Sequence, residues 1–284
     1  MLRQCRRDLG WLLLLFWLAP CAFAGKSPAR FELAITPILP VRTMIENYQP
    51  LRAYLELRLQ EPVTLVTAPD YKTYNQRLQR HAYPFVIAVA NSAYLACTDY
   101  GYVPMLRPAI NTRPALVVAK RSRVTNIKEL RGATLTMADP LAIISMQGLQ
   151  MLREAGLDPR RDVIIKYLPN HGAAVNFVIS GEAAAAIVSD RALLQMPQAA
   201  RDAVRVMQVW EQGAAPGVVY LASPSVPRAR VEKLSRAILE FVRDTADGRD
   251  LMRRLGYGTL LPATVADLKP LAPYGALLKT AIAP

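Results

Sequence analysis

The sequence predicts an α/β fold in two lobes, each a mostly parallel sheet flanked by helices, with a cleft between them. Three observations lead there. The 284 residues exceed the usual size of one domain. Short apolar runs alternate with stretches of helical periodicity along most of the chain. That alternation comes in two successive blocks followed by a long helical return. A hydrophobic fraction of 52% is ample for a packed core.

In the first block, Phe31–Ile35 reads as a strand ending at a Thr36-Pro37 turn. Val41–Leu59 has apolar residues at helical spacing (Ile45, Tyr48, Leu51, Leu55, Leu59). Pro62–Thr67 follows as a strand, Tyr71–Arg80 as a helix, Phe85–Ala90 as a buried strand and Asn91–Ala96 as a helix. The second block has strands at Ala115–Ala119, Gly132–Met137, Val163–Tyr167, Ala184–Val188 and Val204–Val209. Between them lie helices at Ile127–Leu130, after Asp139-Pro140 as far as Ala155-Gly156, at Ala173–Ile179 and at Arg191–Leu194. Gly217–Ala222 is a returning strand, and Val231–Thr245 and Gly248–Leu255 are helices. Pro262, Pro270 and Pro273 break up the tail.

The N-terminus points to export. Arg3, Arg6 and Arg7 precede an apolar run from Trp11 to Leu18, and Ala22-Phe23-Ala24 supplies small residues at a cleavage site before Gly25. Residues 1–24 therefore read as a cleavable signal peptide, and the mature protein as periplasmic. The apolar run is short for a bilayer span. Pro20 argues against a lipid anchor at Cys21. Removing three arginines and Asp8 takes the net charge from +13 to +11. The basic residues are scattered, with no aromatic ladder beside them, so no nucleic-acid partner is expected. Cys5 and Cys21 fall in the signal segment. Cys97 alone remains, in an apolar setting that reads as buried and inert, and no intramolecular disulfide is open to the mature chain.

The catalytic inventory is thin. The only histidines are His81 and His171, and HExxH, GxSxG and GxxxxGK motifs are absent. No enzyme activity, no metal and no cofactor is expected. His171 directly precedes a helix beginning Gly172-Ala173-Ala174. It can serve a ligand together with the free N–H groups of that first turn, or simply cap and pack the helix entry. His81 reads as a surface residue near a helix end.

Seven stretches in order carry a family resemblance. They are Thr36-Pro37, YQPLRAYLELRL (48–59), APDYKTYNQRL (68–78), IKELRGATLTMADP (127–140), EAGLDPRRDV (154–163), NHGAAVNFVISGEAAAAIVSD (170–190) and LMRRLGYGTLLPAT (251–264). Over residues 31–262 the chain resembles the phosphate/phosphite/phosphonate-binding periplasmic proteins of ABC importers. The resemblance implies a type II periplasmic-binding-protein fold, with lobe I made of residues 25–111 and 214–284 and lobe II of residues 112–213. It implies a small-molecule ligand held between the lobes, lobe closure at a hinge near Asn111–Pro114 and Gln212–Gly217, and an inner-membrane ABC permease as partner. The alternative is a periplasmic sensory or scaffold subunit, such as the input for a histidine kinase, that has lost transport.

By the same resemblance, Tyr71 and His171 match positions that commonly contribute to the ligand site. Arg113 matches a frequent arginine and Ser189-Asp190 a recurrent pair. Asn91 and Ser92, after the third strand, join the expected cleft lining. The family's oxyanion cradle is typically Asp-Pro-x-Ser-Thr-Ser-Gly. Here Asp139-Pro140 remains, the hydroxyl positions are Ala142, Ile143 and Ile144, and the glycine is Ser145. Backbone N–H groups of Ile143, Ile144 and Ser145 can still meet a ligand. Three lost hydroxyl bonds at about 1.5–3 kcal/mol each would weaken phosphonate binding by orders of magnitude. The acidic residue that often faces a ligand amine is also missing from Gly213 to Gly217. The expected ligand is less charged and more apolar than a phosphonate. The other reading of Ile143 and Ile144 makes them plain core residues in a shifted register.

Overall fold

A computed structural model describes residues 31–283. The expected signal peptide, its cleavage site, Cys5 and Cys21 lie outside the described residues.

The chain first lays down β1 (Phe31–Ile35), α1 (Val41–Leu59), β2 (Val63–Val66), α2 (Tyr71–Gln79), β3 (Phe85–Val89), α3 (Ala90–Asp99) and β4 (Val103–Pro108). It then builds β5 (Pro114–Ala119), β6 (Thr134–Met137), α4 (Ile143–Glu154), β7 (Ile164–Tyr167), α5 (His171–Ile179), β8 (Ala185–Ser189), α6 (Asp190–Leu194), α7 (Gln198–Asp202) and β9 (Val204–Val209). It returns through β10 (Val218–Ala222), α8 (Arg228–Asp244), α9 (Ala246–Leu255), β11 (Leu260–Pro262), α10 (Val265–Leu268) and α11 (Ala272–Ile282).

Two sheets result, ordered β11-β4-β10-β3-β1-β2 and β7-β6-β8-β5-β9. The α/β class is as the alternation implied, but the pairing is mixed rather than mostly parallel. In the first sheet β1 runs parallel to β2 and β3, while β10 runs antiparallel to β3 and β4. In the second, β6 runs parallel to β7 and β8, while β5 runs antiparallel to β8 and β9. The cause is topological. The chain crosses between the sheets twice, and the strand following each crossing, β5 or β10, runs antiparallel to both of its neighbours inside its sheet: β10 inserts between β3 and β4, which precede it, and β8 and β9 later flank β5.

The two crossings touch. Thr112 N–H donates to the Ala215 carbonyl at 2.8 Å, and Ala215 N–H to the Thr112 carbonyl at 3.0 Å. The central strands β3, β8 and β10 are buried along their whole length, as apolar runs covered on both faces must be. Helix α1 buries Met44, Tyr48, Leu51 and Leu55 at the spacing of one helix face, while Ile45 stays 41% exposed.

The tail departs from expectation. Pro262 ends β11, while Pro270 and Pro273 stand in the first turn of helical segments, where their missing N–H costs nothing, so α11 forms with Pro273 as its second residue. It packs on α3 at Gly275, where a Cβ would lie 2.3 Å from the Tyr94 ring. Cys97 is half-buried, and burial pushes its thiol up to about 12. His81 is exposed with a positive φ of 52° and stacks on Tyr102.

Candidate functional site

A cavity opens between the sheets at the carboxyl ends of the parallel strands, where helix N-termini converge. Most of those helices are capped by their own side chains. Asp70 Oδ1 accepts from Thr73 N–H at 2.6 Å, Asn170 Oδ1 from Ala173 N–H at 3.0 Å, and Ser189 Oγ from Ala192 N–H at 3.1 Å. Helix α4 differs: Ala142 stands at its cap, and no side-chain oxygen accepts from its first turn. Asp139 turns aside to accept from Leu141 N–H at 2.8 Å and lies across the cleft from Tyr71. Burial raises the Asp139 carboxyl above the ordinary value.

Ala142, Ile143 and Ile144 all line this cavity, each buried. The two isoleucines belong to the core and to the cavity wall at once. Tyr71, His171 and Ser189 also lie on the wall. The Tyr71 hydroxyl and His171 Nδ1 are buried without a hydrogen-bond partner. Such groups cost about 1–3 kcal/mol each when left unmatched. Burial raises the Tyr71 hydroxyl well above its ordinary value and lowers the His171 imidazole to about 4, so both are neutral at pH 7. His171 also donates its backbone N–H to the Ile38 carbonyl of the other lobe at 3.3 Å.

The other expected residues lie beside the cavity without lining it. Asn91 Nδ2 donates to the Leu141 carbonyl at 2.9 Å, and Ser92 is fully buried. Ser145 Oγ donates to the Ala138 carbonyl at 3.0 Å. Arg113 is engaged elsewhere: its Nε donates to Asp190 at 3.1 Å, and one terminal nitrogen reaches both Glu211 oxygens at 2.6 and 2.8 Å. Asp190 opens α6 and accepts from Thr112 Oγ1 at 3.0 Å behind the wall.

Sequence reasoning missed Ile38, Val89, Thr112, Ala192, Gln195, Gly217, Val218 and Tyr257, which complete the lining. Thr112 and Gly217 were signalled only as crossing residues, and Tyr257 only as part of the 251–264 stretch. Thr112 Oγ1 and Ser189 Oγ sit 2.6 Å apart, and burial pushes the Tyr257 hydroxyl up to about 12. The cavity is narrow. The space open to the centre of a water molecule is about 20 Å³, room for little more than one water. Among the described residues no cluster of His, Cys, Asp and Glu is arranged to hold a metal, and no helix is long and apolar enough to cross a membrane.

Two sheets joined by paired crossings, with a cavity at their facing strand ends, define a two-lobed substrate-binding protein. The family model for the periplasmic substrate-binding protein of phosphonate ABC transporters matches residues 33–268, and the chain belongs to that family. Its members are periplasmic binding proteins rather than enzymes. Among solved structures, PhnD1 from Prochlorococcus marinus in complex with methylphosphonate superposes with a TM-score of 0.76 at 13% identity, covering 88% of this chain and 98% of that one. A binding-protein component of an ABC phosphonate transporter from Pseudomonas aeruginosa gives 0.75 at 13% identity, covering 89% of each chain. The alkanesulfonate-binding protein SsuA from Xanthomonas axonopodis pv. citri, bound to MOPS, gives 0.64 at 17%, covering 90% of this chain and 95% of that one. No curated protein matches the sequence at a significant level.

Proposed function

We propose that the mature chain is an exported solute receptor that closes two lobes on a small ligand other than a simple phosphonate and delivers it to an inner-membrane ABC permease. Lobe I comprises residues 25–111 and 214–284, and lobe II residues 112–213. The lobes close about Asn111–Pro114 and Gln212–Gly217, and Tyr71, Ile143, Ile144, His171 and Ser189 contact the ligand. Export uses the cleaved segment 1–24, with no lipid on Cys21.

The observation that carries this reading is the wall itself. Ala142, Ile143 and Ile144 meet the cavity with apolar side chains at the entry of a helix whose first turn has no side-chain cap. The helix end still offers N–H groups, but an anion there would lose its water without the hydroxyl donors that positions 142 to 144 lack.

A thermal-shift screen of solutes tests it, because a ligand of the folded state raises the melting temperature. Simple alkylphosphonates are expected to give no shift at micromolar concentration. Nanomolar binding of one of them would overturn the altered specificity. A second reading, a sensory or scaffold subunit such as a kinase input, is favoured by the direct bonds between lobes at Asn91 and His171. Failure of every solute in a broad screen would select it.

A further inference from the structure

We infer that the cleft takes a small uncharged solute with a donor–acceptor head group of the primary-amide kind and a short aliphatic tail. This rests on the receptor reading above and names the ligand class for the same cavity.

The head group follows from what the wall leaves unmatched. Tyr71 Oη and His171 Nδ1 are buried without hydrogen-bond partners, and the Gln195 amide stands beside them on the wall, against the Tyr257 hydroxyl. Tyr71 is 0% exposed and His171 3%. A hydroxyl, a neutral imidazole and a carboxamide can each donate and accept. A ligand that offers both functions at one end, as a carboxamide does, satisfies all three. A purely accepting group such as a carboxylate cannot serve their acceptor atoms.

The absence of charge follows from the electrostatics. No Lys, Arg, Asp or Glu lines the cavity. Arg113 is committed to Asp190 and Glu211, while Arg191 stands behind the wall, 3.5 Å from Asp190 and with its Nε unpartnered. The carboxylates that abut the wall, Asp139 against Tyr71 and Asp190 behind Thr112, repel an anion. An entering anion therefore loses hydration with no cationic side chain on the wall itself to replace it, and a cation finds both carboxylates already hydrogen-bonded. The tail follows from Ile38, Val89, Ile143, Ile144 and Val218, which give the remaining wall its apolar character. The space as it stands holds little more than one water, so the ligand enters as the lobes part and its tail is at most two or three carbons.

Isothermal titration of the purified mature protein at pH 7 with propionamide, propionate and methylphosphonate tests the inference. The first two share shape and differ in charge. Propionamide is expected to bind at least tenfold more tightly than propionate, with methylphosphonate weaker still. Tyr71→Phe, which keeps the ring, is expected to cost propionamide about fivefold to tenfold in affinity while the circular dichroism spectrum is unchanged. Ile143→Ser with Ile144→Thr is expected to narrow the gap between propionamide and methylphosphonate. Propionate or methylphosphonate binding as tightly as propionamide would overturn the uncharged class and leave the receptor reading standing. Propionamide binding unaffected by Tyr71→Phe would overturn the assignment of its head group. If no solute of any class raises the melting temperature, the receptor reading itself fails.

Discussion

The Asn91 side-chain amide donates to the backbone carbonyl of Leu141 at 2.9 Å, tying the first turn of α3 to the entry of α4 across the cleft. The two residues are fifty positions apart in the chain and belong to different sheets. This bond holds the segment that carries Ile143 and Ile144 against the opposite lobe. Leu95, Leu278 and Ile282 close over the same point, packed by Leu141 and Met146.

Asn91→Ala is expected to destabilise the protein by about 1–2 kcal/mol, since it leaves the Leu141 carbonyl without its donor. The melting temperature should fall by about 3–6 °C, and small-angle scattering should report a larger radius of gyration as the lobes part. Ser145→Ala serves as the control, because its bond to Ala138 stays within one lobe. It should lower the melting temperature without expanding the molecule. Equal radii for the two variants would refute the bridging role of Asn91.

His171 makes stability depend on pH. Its ordinary value is 6.5, and burial lowers it to about 4 in the folded protein. Between those values the unfolded chain holds a proton that the folded chain does not, so stability falls as pH falls through this window and rises with pH up to about 6.5. The expected loss between pH 7 and pH 4 is about 3 kcal/mol from this group. Urea unfolding of the native protein and of His171→Phe at both pH values isolates it, the variant showing the smaller loss.

Gly248 sits where α9 begins against the end of α8, and a Cβ there would lie 1.9 Å from the Phe241 carbonyl oxygen. Backbone cannot yield as a flexible side chain can. Gly248→Ala should therefore cost about 3 kcal/mol or more. At Gly181, where φ is +84° and no atom lies within 4 Å, alanine meets only backbone strain. That substitution should cost about 1–2 kcal/mol. Thermal melts of the two variants check the ranking.

Arg113 is expected to act in stability rather than in ligand affinity. Its bond to Asp190, whose side chain is 11% exposed, is little screened by solvent, while its partner Glu211 is 66% exposed. Double-mutant cycles with Asp190→Asn and Glu211→Gln should give a coupling of about 1–3 kcal/mol for the first pair and below about 1 kcal/mol for the second.

The sequence by itself determined a good deal. The local spacing of apolar residues marked β1, α1, β3 and β9, because burial on one face or two imposes a period that survives in the chain. The run Asp139 to Ser145 marked the altered helix entry, because side-chain chemistry there is a property of the residues alone. The prolines of the tail misled: Pro273 begins α11 instead of preventing it, since the neighbours that reward the helix, Tyr94 and Leu95, lie far back in the chain.

Only the tertiary structure decided which groups face the cavity. Arg113 and Asp190, expected at the ligand, pair with each other beside the cavity, while Gln195, without any local signal, and Tyr257, marked only as part of the 251–264 stretch, stand on the wall. The antiparallel insertion of β5 and β10 was equally hidden, because strand direction depends on where the chain re-enters a sheet. Periodicity records how a segment is buried. The partners of its side chains are set by contacts between segments distant in sequence, and no local pattern encodes them.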